Sequence, residues 1–202
     1  MINGLIAVVV AYLAGGIPFG FIIVKLMTGK NVMQSGSGNI GATNVLRTTG
    51  RFAGVLTLLL DAAKGFGSVW LADSLTGGSV FWMSFAALAV LFGHAFSIWL
   101  KFQGGKAVAS FVGAFAYLAP VPLLAVLIIF IALLATTRYL SLGSIVAAGL
   151  FPFACWMILH PDWPMLAAAA ISSVLIIWRH RGNIDRIRAG NENVFRFGRT
   201  VK

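Results

Sequence analysis

The 202-residue chain has few charged residues and very few acidic ones. Lysine, arginine, aspartate and glutamate together make up 10% of the sequence, whereas roughly a quarter is usual in a soluble domain. Apolar residues make up 59%. This composition excludes a soluble globular domain and a disordered basic tail. Because each membrane crossing takes about 20 apolar residues, we expect at most about seven or eight spans and no separate soluble catalytic domain.

Cysteine is nearly absent, which removes two further kinds of site. Cys155 is the one cysteine of the chain and lies in an apolar run. An intramolecular disulfide is therefore excluded, and the side chain is expected to be a small buried hydrophobe. The three histidines are far apart in the sequence, and no Cys/His cluster has the spacing of zinc ligands. We expect neither a metal nor a cofactor.

Long apolar runs are abundant, and they predict an all-α integral membrane protein with seven transmembrane helices. The first run is too long for a signal core and no basic residue precedes it, so we expect it to be retained as a span. The fourth run would form a helix of only about 20 Å, which is short for a crossing. The seven runs cover about residues 2–27, 52–74, 80–100, 107–119, 121–136, 142–159 and 164–178.

The basic residues predict how these helices are oriented. The net charge is +10, from 15 Lys and Arg against 5 Asp and Glu. If the N-terminus lies outside, fourteen of the fifteen basic residues fall in the inward segments, which are 25–51, 101–106, 137–141 and 179–202. The positive-inside rule then places the N-terminus outside and the C-terminus in the cytoplasm. We predict one polytopic domain over 1–202 with a basic cytoplasmic tail at 179–202, and no nucleic-acid partner.

The remaining basic residue, Lys64, lies inside the second run, three residues after Asp61. This spacing puts both charges on one helix face, and charges at membrane depth usually face the protein interior. We interpret the two residues as an ion pair that holds the helix in register. The alternative is that one of them lines a polar cavity that reaches the functional site. His94 is interpreted as a satisfied packing or hydrogen-bonding residue.

The first inward segment reads SGSGNIGATNVLR at 35–47 and predicts a phosphate-binding loop. Its small residues allow the backbone to curl until successive N–H groups converge on an anion. Arg47 adds a planar fork suited to phosphate. A flexible Gly/Ser linker does not explain the Asn, Thr and Arg that follow at once. The predicted binding residues of this loop are Ser35, Ser37, Gly38, Asn39, Gly41, Thr43 and Asn44.

Three other inward segments add groups that are suited to binding an anion. Gly104–Gly105–Lys106 precedes a predicted helix, where N–H groups, the helix dipole and an ammonium favour phosphate, although the spacing is not that of a Walker A loop. Ser141 and Ser144 add hydroxyls. His180 and Asn183 would share a face if the last helix continued, whereas the same basic cluster can also anchor the topology or contact anionic lipid. The other basic residues of the tail are interpreted as surface charge: Arg186, Arg188, Arg196, Arg199 and Lys202.

Five segments, in order, carry a family resemblance. They are SGSGNIGATNVLRTTG at 35–50, LLLDAAKG at 58–65, GHAFSIWLKFQGGKAVAS at 93–110, TRYLSLGS at 137–144 and RHRGNIDRIRAGNEN at 179–193. They resemble the bacterial membrane acyl-phosphate:glycerol-3-phosphate acyltransferases (PlsY) over nearly the whole chain. The resemblance implies seven spans, a bacterial inner-membrane location and acyl transfer from acyl phosphate to the sn-1 hydroxyl of glycerol 3-phosphate. The products are lysophosphatidic acid and phosphate, in phospholipid biosynthesis.

Three residues depart from the family pattern. The family usually has Pro where Ser97 stands, Gly where Ala107 follows Lys106, and Glu where Gly182 stands. Ala107 is expected to restrict the backbone beside Lys106. None of the three departures removes a cation or a hydroxyl donor from the predicted site.

The implied reaction fits the predicted catalytic residues, which are Arg47, Lys106, His180 and Asn183. Both substrates carry phosphate, so the site must hold two phosphate groups at once. Acyl phosphate is an activated anhydride, and the same cations stabilise its phosphate leaving group. A classical catalytic base is then dispensable. We expect a substrate phosphate oxygen to take the hydroxyl proton, with the enzyme acting through positioning and electrostatics.

The competing interpretation is a small membrane transporter of phosphorylated metabolites. The outward segments contain no basic residue that would admit an anion, and inverted repeats typical of transporters are not evident. A purely structural lipid-binding protein would not need the 35–47 loop. The sequence leaves open the acyl-chain preference, the oligomeric state and any contact with the enzyme that produces acyl phosphate.

Overall fold

The computed structural model describes residues 1–195, and all regular secondary structure in that range is helical. The ten α-helices of the described range are α1 (Ile2–Gly16), α2 (Phe19–Thr28), α3 (Ala42–Thr49), α4 (Arg51–Thr76), α5 (Val80–Ala95), α6 (Val108–Leu118), α7 (Pro120–Thr137), α8 (Leu140–Leu159), α9 (Trp163–Arg179) and α10 (Arg181–Arg188). The chain forms two compact units. One comprises Met1–Tyr117, and the other comprises the described residues from Leu118 onward.

Five helical segments of the described chain are long and apolar enough to cross a membrane. They are Ile2–Thr28, Arg51–Thr76, Val80–Leu100, Pro120–Thr137 and Leu140–Leu159. Helices α9 and α10 pass the same test when taken together, with a bend of 55° between them. The fourth predicted run forms α6, which has only 11 residues. The six longer predicted runs thus coincide with these segments, and the fourth is as short as its sequence indicated.

Small residues bring the helices of the first unit into close contact. A Cβ at Gly15 of α1 would overlap the backbone of α5, and one at Gly93 of α5 would overlap the backbone of α1. Gly65 of α4 and Gly113 of α6 contact each other's helix backbones in the same way. Helices in lipid gain little from burying large apolar side chains, so close backbone packing is the expected source of their association.

The first span is broken at Pro18, which separates α1 from α2. Side chains from elsewhere in the first unit bind the carbonyls at this break. Ser97 Oγ donates to the Gly16 carbonyl at 2.5 Å, and Lys64 Nζ donates to the Ile17 carbonyl at 2.8 Å. A helix break inside a membrane is tolerated where such groups satisfy the backbone. Ser97, which departs from the family pattern, therefore has a defined partner in this chain.

The second unit packs α7 against α8 and α8 against α9, and α9 leads into α10. Pro152 lies inside α8 and has no N–H to bond the carbonyl of Ala148, four residues earlier. Ser173 of α9 donates its hydroxyl to that carbonyl at 2.5 Å. The proline that weakens α8 thereby creates an acceptor that links α8 to α9.

Candidate active site

Asn44 holds the first predicted phosphate loop in a curled shape. Its side chain is buried, and its Nδ2 donates to the carbonyls of Ser35 at 3.0 Å and Asn39 at 2.8 Å. Its Oδ1 accepts from the Ser37 N–H at 2.9 Å. A Cβ at Gly36, where φ is +59°, would overlap that same oxygen. Asn44, on the short helix α3, therefore shapes the loop from inside.

The backbone N–H groups of this loop correct one part of the sequence prediction. Besides the Ser37 N–H, the Gly38 N–H donates to the Ser35 carbonyl at 3.0 Å. The Gly41 N–H donates to Asn39 Oδ1 at 2.8 Å. Because the loop's own acceptors take these donors, successive N–H groups do not converge on an anion at these three positions.

Side chains of the loop are better placed than its backbone to bind an anion. Within residues 1–195, the hydroxyls of Ser35, Ser37 and Thr43 and the guanidinium of Arg47 have no hydrogen-bond partner. Thr43 and Arg47 lie one turn apart on α3 and share a face of that helix. Arg47 is exposed. The structure thus adds a helix that the glycine-rich composition did not indicate, and this helix carries Arg47.

The second predicted loop, Gly104–Gly105–Lys106, lies against the end of α5. The Gly105 N–H donates to the His94 carbonyl at 3.0 Å, so this donor too is used within the protein. Ala107 follows with φ of +61°, a left-handed conformation that favours glycine. Its carbonyl accepts the Phe111 N–H at 2.8 Å, which starts α6. Lys106 therefore lies just before a helix N-terminus, as predicted, on an irregular and partly buried backbone.

Asp61 and Lys64 form the predicted ion pair. Lys64 Nζ lies 2.8 Å from Asp61 Oδ1, and both side chains are buried. His94 Nδ1 lies 3.2 Å from the Ser110 hydroxyl, so the prediction that His94 is a satisfied hydrogen-bonding residue is confirmed. Nδ1 is also 3.6 Å from Asp61 Oδ1. The sequence did not indicate that His94 and the ion pair belong to one cluster.

The last helix does not continue straight through His180. His180 and Asn183 were expected to share a helix face only if it did, so that expectation does not hold. Helix α9 ends at Arg179, α10 begins at Arg181, and the chain bends by 55° between them. His180 Nδ1 lies 2.8 Å from the Ile176 carbonyl. Because a carbonyl only accepts, Nδ1 carries a proton and donates it to that oxygen. Both predicted residues are nevertheless buried.

Glu192 joins three polar side chains in a cluster of the second unit. Its Oε1 accepts from Ser141 Oγ at 3.1 Å and from Asn183 Nδ2 at 2.8 Å. Its Oε2 lies 2.9 Å from Arg186 Nε. The interpretation of Arg186 as plain surface charge is therefore wrong, because it pairs with a buried carboxylate. The sequence did not indicate the role of Glu192, although it is one of only two carboxylates among the basic residues of 179–202.

The predicted site residues are divided between the two units. Arg47, Lys106 and the residues of the two glycine-rich loops belong to the first unit, and His180, Asn183, Ser141 and Ser144 belong to the second. Ser144 donates to the Leu140 carbonyl of its own helix at 2.9 Å. Three predicted surface charges lie outside the described residues: Arg196, Arg199 and Lys202.

Comparison with known proteins gives consistent results. The family model for glycerol-3-phosphate acyltransferase matches residues 5–190. The chain is 43% identical to the glycerol-3-phosphate acyltransferase of Geobacter sulfurreducens, over 97% of this chain and 100% of that protein. It is 44% identical to that of Trichlorobacter lovleyi, again over 97% and 100% of the two chains.

Solved structures agree with the sequence comparison. One is the crystal structure of PlsY, an integral membrane glycerol 3-phosphate acyltransferase, in its glycerol 3-phosphate form, with a TM-score of 0.90 at 36% identity. The lysophosphatidic acid form of PlsY gives a TM-score of 0.87. Each comparison covers 95% of both chains. The chain therefore belongs to the glycerol-3-phosphate acyltransferase family of integral, multi-pass membrane proteins.

Proposed function

We propose that the chain transfers an acyl group from acyl phosphate to the sn-1 hydroxyl of glycerol 3-phosphate, forming lysophosphatidic acid and inorganic phosphate. The observation that carries this proposal is the similarity to glycerol-3-phosphate acyltransferases over residues 5–190, a range that spans both glycine-rich loops and their cations. The crystal structures of the similar PlsY protein are forms with glycerol 3-phosphate and with lysophosphatidic acid. These are a substrate and a product of the proposed reaction.

The proposed chemistry is direct transfer without a catalytic base. The sn-1 oxygen attacks the acyl carbon, the bond between that carbon and the phosphate oxygen breaks, and the hydroxyl proton passes to a phosphate oxygen of a substrate. The leaving group is phosphate, whose charge is best stabilised by fixed cations and dipoles. The protein then contributes chiefly by holding both substrates in register. Formation of a covalent acyl-enzyme is not part of this route.

Arg47 and Lys106 are proposed to bind the substrate phosphates. Arg47 is exposed on α3, near the hydroxyls of Ser35, Ser37 and Thr43 along the chain. Its guanidinium can bind phosphate through two parallel hydrogen bonds. Asn44, although first predicted to contact substrate, is better assigned to shaping the loop because its amide already bonds inside it.

His180 and Asn183 are proposed to add polar contacts to the substrates. The bond from His180 Nδ1 to the Ile176 carbonyl fixes the orientation of the imidazole. Glu192 does the same for the Asn183 amide, since Oε1 accepts from Nδ2. Such outer partners keep a polar side chain in a single rotamer, which is what a positioning enzyme requires.

We further propose seven spans, with the N-terminus outside and the site on the cytoplasmic side of a bacterial inner membrane. Fourteen of the fifteen basic residues fall in segments that this arrangement puts inside, in keeping with the positive-inside rule. The arrangement requires the 11 residues of α6 to cross a locally thinned bilayer.

The reaction can be tested directly with purified protein in detergent. Acyl phosphate and glycerol 3-phosphate are supplied singly and together, and both phosphate release and lysophosphatidic acid are measured. The proposal expects both products only when both substrates are present. If the protein instead moves glycerol 3-phosphate across vesicle membranes and releases no phosphate, it is a transporter and the proposal fails.

Two variants test the proposed site. Arg47→Ala and Lys106→Ala should each lower turnover by about two orders of magnitude or more, because each removes a cation that binds one of the two substrate phosphates. Arg51→Ala is a matched control, since Arg51 is also an exposed cation near the same loop but has no proposed contact. Near-normal rates for either site variant would contradict the assignment.

A further inference from the structure

We propose that His94 is a positioning residue that holds the Gly104–Gly105–Lys106 loop in the shape needed to bind phosphate. The inference rests on the proposed function, in which Lys106 contacts a substrate phosphate. His94 is the last residue but one of α5, and it is fully enclosed within the first unit. Its backbone carbonyl contacts Gly105 and its ring contacts Ser110, which lie on either side of Lys106.

The loop backbone lies directly on His94. The Gly105 N–H donates to the His94 carbonyl at 3.0 Å. A Cβ at Gly105 would overlap the imidazole at Nε2, and one at Gly104 would overlap the carbonyls of His94 and Ala95. Side chains at these two positions would thus displace the ring or the loop. The two glycines are explained by this close approach rather than by flexibility.

The other edge of the ring fixes the segment after Lys106. His94 Nδ1 lies 3.2 Å from the hydroxyl of Ser110, which is in the first turn of α6 and fully buried. Lys106 therefore lies between two residues that both contact the same imidazole, Gly105 before it and Ser110 after it. Rotation of this ring would move both ends of the segment that carries the ammonium.

A buried ion pair lies beside the ring. His94 Nδ1 is 3.6 Å from Asp61 Oδ1, and that oxygen is 2.8 Å from Lys64 Nζ. Lys64 also donates to the Ile17 carbonyl at the break in the first span. These contacts form a continuous polar chain from that break to the second loop. Buried charges in a membrane protein are costly and are usually retained for a function, and here the chain ends at the proposed phosphate-binding loop.

A double-mutant cycle separates positioning from a general structural role. His94→Ala should lower kcat/KM by about a hundredfold, the loss expected when a reacting group is displaced by about 1 Å. In a Lys106→Ala background the same substitution should cost less than about threefold, because there is no ammonium left to position. Rates are measured as phosphate release, with enzyme concentration raised for the slow variants, and thermal unfolding in detergent is recorded for each protein.

Four outcomes decide the question. Equal losses in both backgrounds, or a His94→Ala enzyme with normal kcat/KM, would overturn the inference while leaving the proposed function intact. A normal Lys106→Ala enzyme would overturn both the proposed role of Lys106 and the inference. A loss for His94→Ala that disappears in the Lys106→Ala background supports the inference.

A milder variant covers the case in which His94→Ala does not fold. Ser110→Ala removes the contact to Nδ1 but leaves the ring in place, and the same cycle with Lys106→Ala applies to it. We expect a loss of about tenfold in the normal background and little in the other. Ser84→Ala is the matched control, because Ser84 is an equally buried serine on α5 whose hydroxyl has no partner among the described residues. A loss for Ser84→Ala as large as that for Ser110→Ala would overturn the inference.

Discussion

At the scale of single residues, Ala107 stands where an alanine is strained. Its φ of +61° lies in the left-handed region, which costs a non-glycine residue roughly 1–2 kcal/mol. The resemblance had marked this position, because the family usually has glycine there. The structure supplies the reason for that preference, since the residue between Lys106 and the start of α6 takes a left-handed conformation.

Replacing Ala107 with glycine should therefore change stability little. Relief of the left-handed strain offsets the loss of a buried methyl, about 0.8 kcal/mol, and the extra entropy of the unfolded chain, about 0.4–1 kcal/mol. We expect Ala107→Gly to alter the free energy of unfolding by less than about 1 kcal/mol. Thermal unfolding in detergent measures this difference.

Ala114 provides the control for that measurement. It is as buried as Ala107 but lies inside α6, where glycine brings no relief of strain. Ala114→Gly should cost about 1.3–1.8 kcal/mol, from the lost methyl and the lower helix propensity. Equal costs for the two variants would show that Ala107 is not strained.

The buried pair of Asp61 and Lys64 gives a second prediction at this scale. Lys64→Met leaves the Asp61 carboxylate buried without its partner, which typically costs about 3–5 kcal/mol. Adding Asp61→Leu removes the isolated charge and should restore most of the lost stability, as replacement of a whole buried pair often does. Comparison of the unfolding temperatures of the single and double variants is the test. A double variant less stable than Lys64→Met alone would contradict it.

At the scale of elements, the 35–47 loop depends on α3, and α3 depends on Asn44. The sequence indicated a curled, glycine-rich segment, and its small residues do permit the left-handed turn at Gly36 and the close approach of Asn44. The sequence did not indicate that acceptors within the loop would bond its own backbone N–H groups. Whether these N–H groups are bonded depends on where the side-chain amide of Asn44 lies relative to the loop. Residue composition carries no information about this placement.

Asn44→Asp tests this dependence with almost no change in size. The Asn44 Nδ2 faces the carbonyls of Ser35 and Asn39, so a carboxylate there would place negative charge against two acceptors. We expect a loss of stability of about 2–4 kcal/mol and loss of acyltransferase activity. Thr48→Val is a control on the same helix, because within residues 1–195 its hydroxyl bonds only to Asn44 and Thr49 of that helix. If Asn44→Asp unfolds at the normal temperature, Asn44 does not hold the loop.

At the scale of the whole molecule, the distribution of basic residues and the length of α6 point to different answers on whether α6 crosses the membrane. Its 11 residues are short for a crossing, yet only an odd number of spans puts fourteen of the fifteen basic residues on one side. The segments that this arrangement would put outside carry acidic residues or histidine instead, namely Asp73, His160 and Asp162. The charge pattern therefore predicts that α6 crosses despite its length.

Cysteine labelling in spheroplasts tests this topology. In a Cys155→Ala background, a membrane-impermeant thiol reagent should label Ser74→Cys and Asp162→Cys directly. It should label Gln103→Cys and Asn191→Cys only after the membrane is permeabilised. All four native residues are exposed. The two outward positions lie on either side of α6 in the chain, so labelling of Ser74→Cys with protection of Asp162→Cys would show that α6 does not cross.

The sequence by itself determined the properties that are local or additive along the chain. Apolar runs, turn residues and the placement of basic residues depend on composition and spacing, so the all-α membrane architecture, the Asp61–Lys64 pair and the two cation-bearing loops could be predicted. The tertiary structure alone decided which groups meet across long separations: Asn44 inside its loop, His94 beneath Gly105, and Glu192 with Ser141. Such contacts depend on how helices pack, and a pattern along one segment does not encode the position of another segment in space.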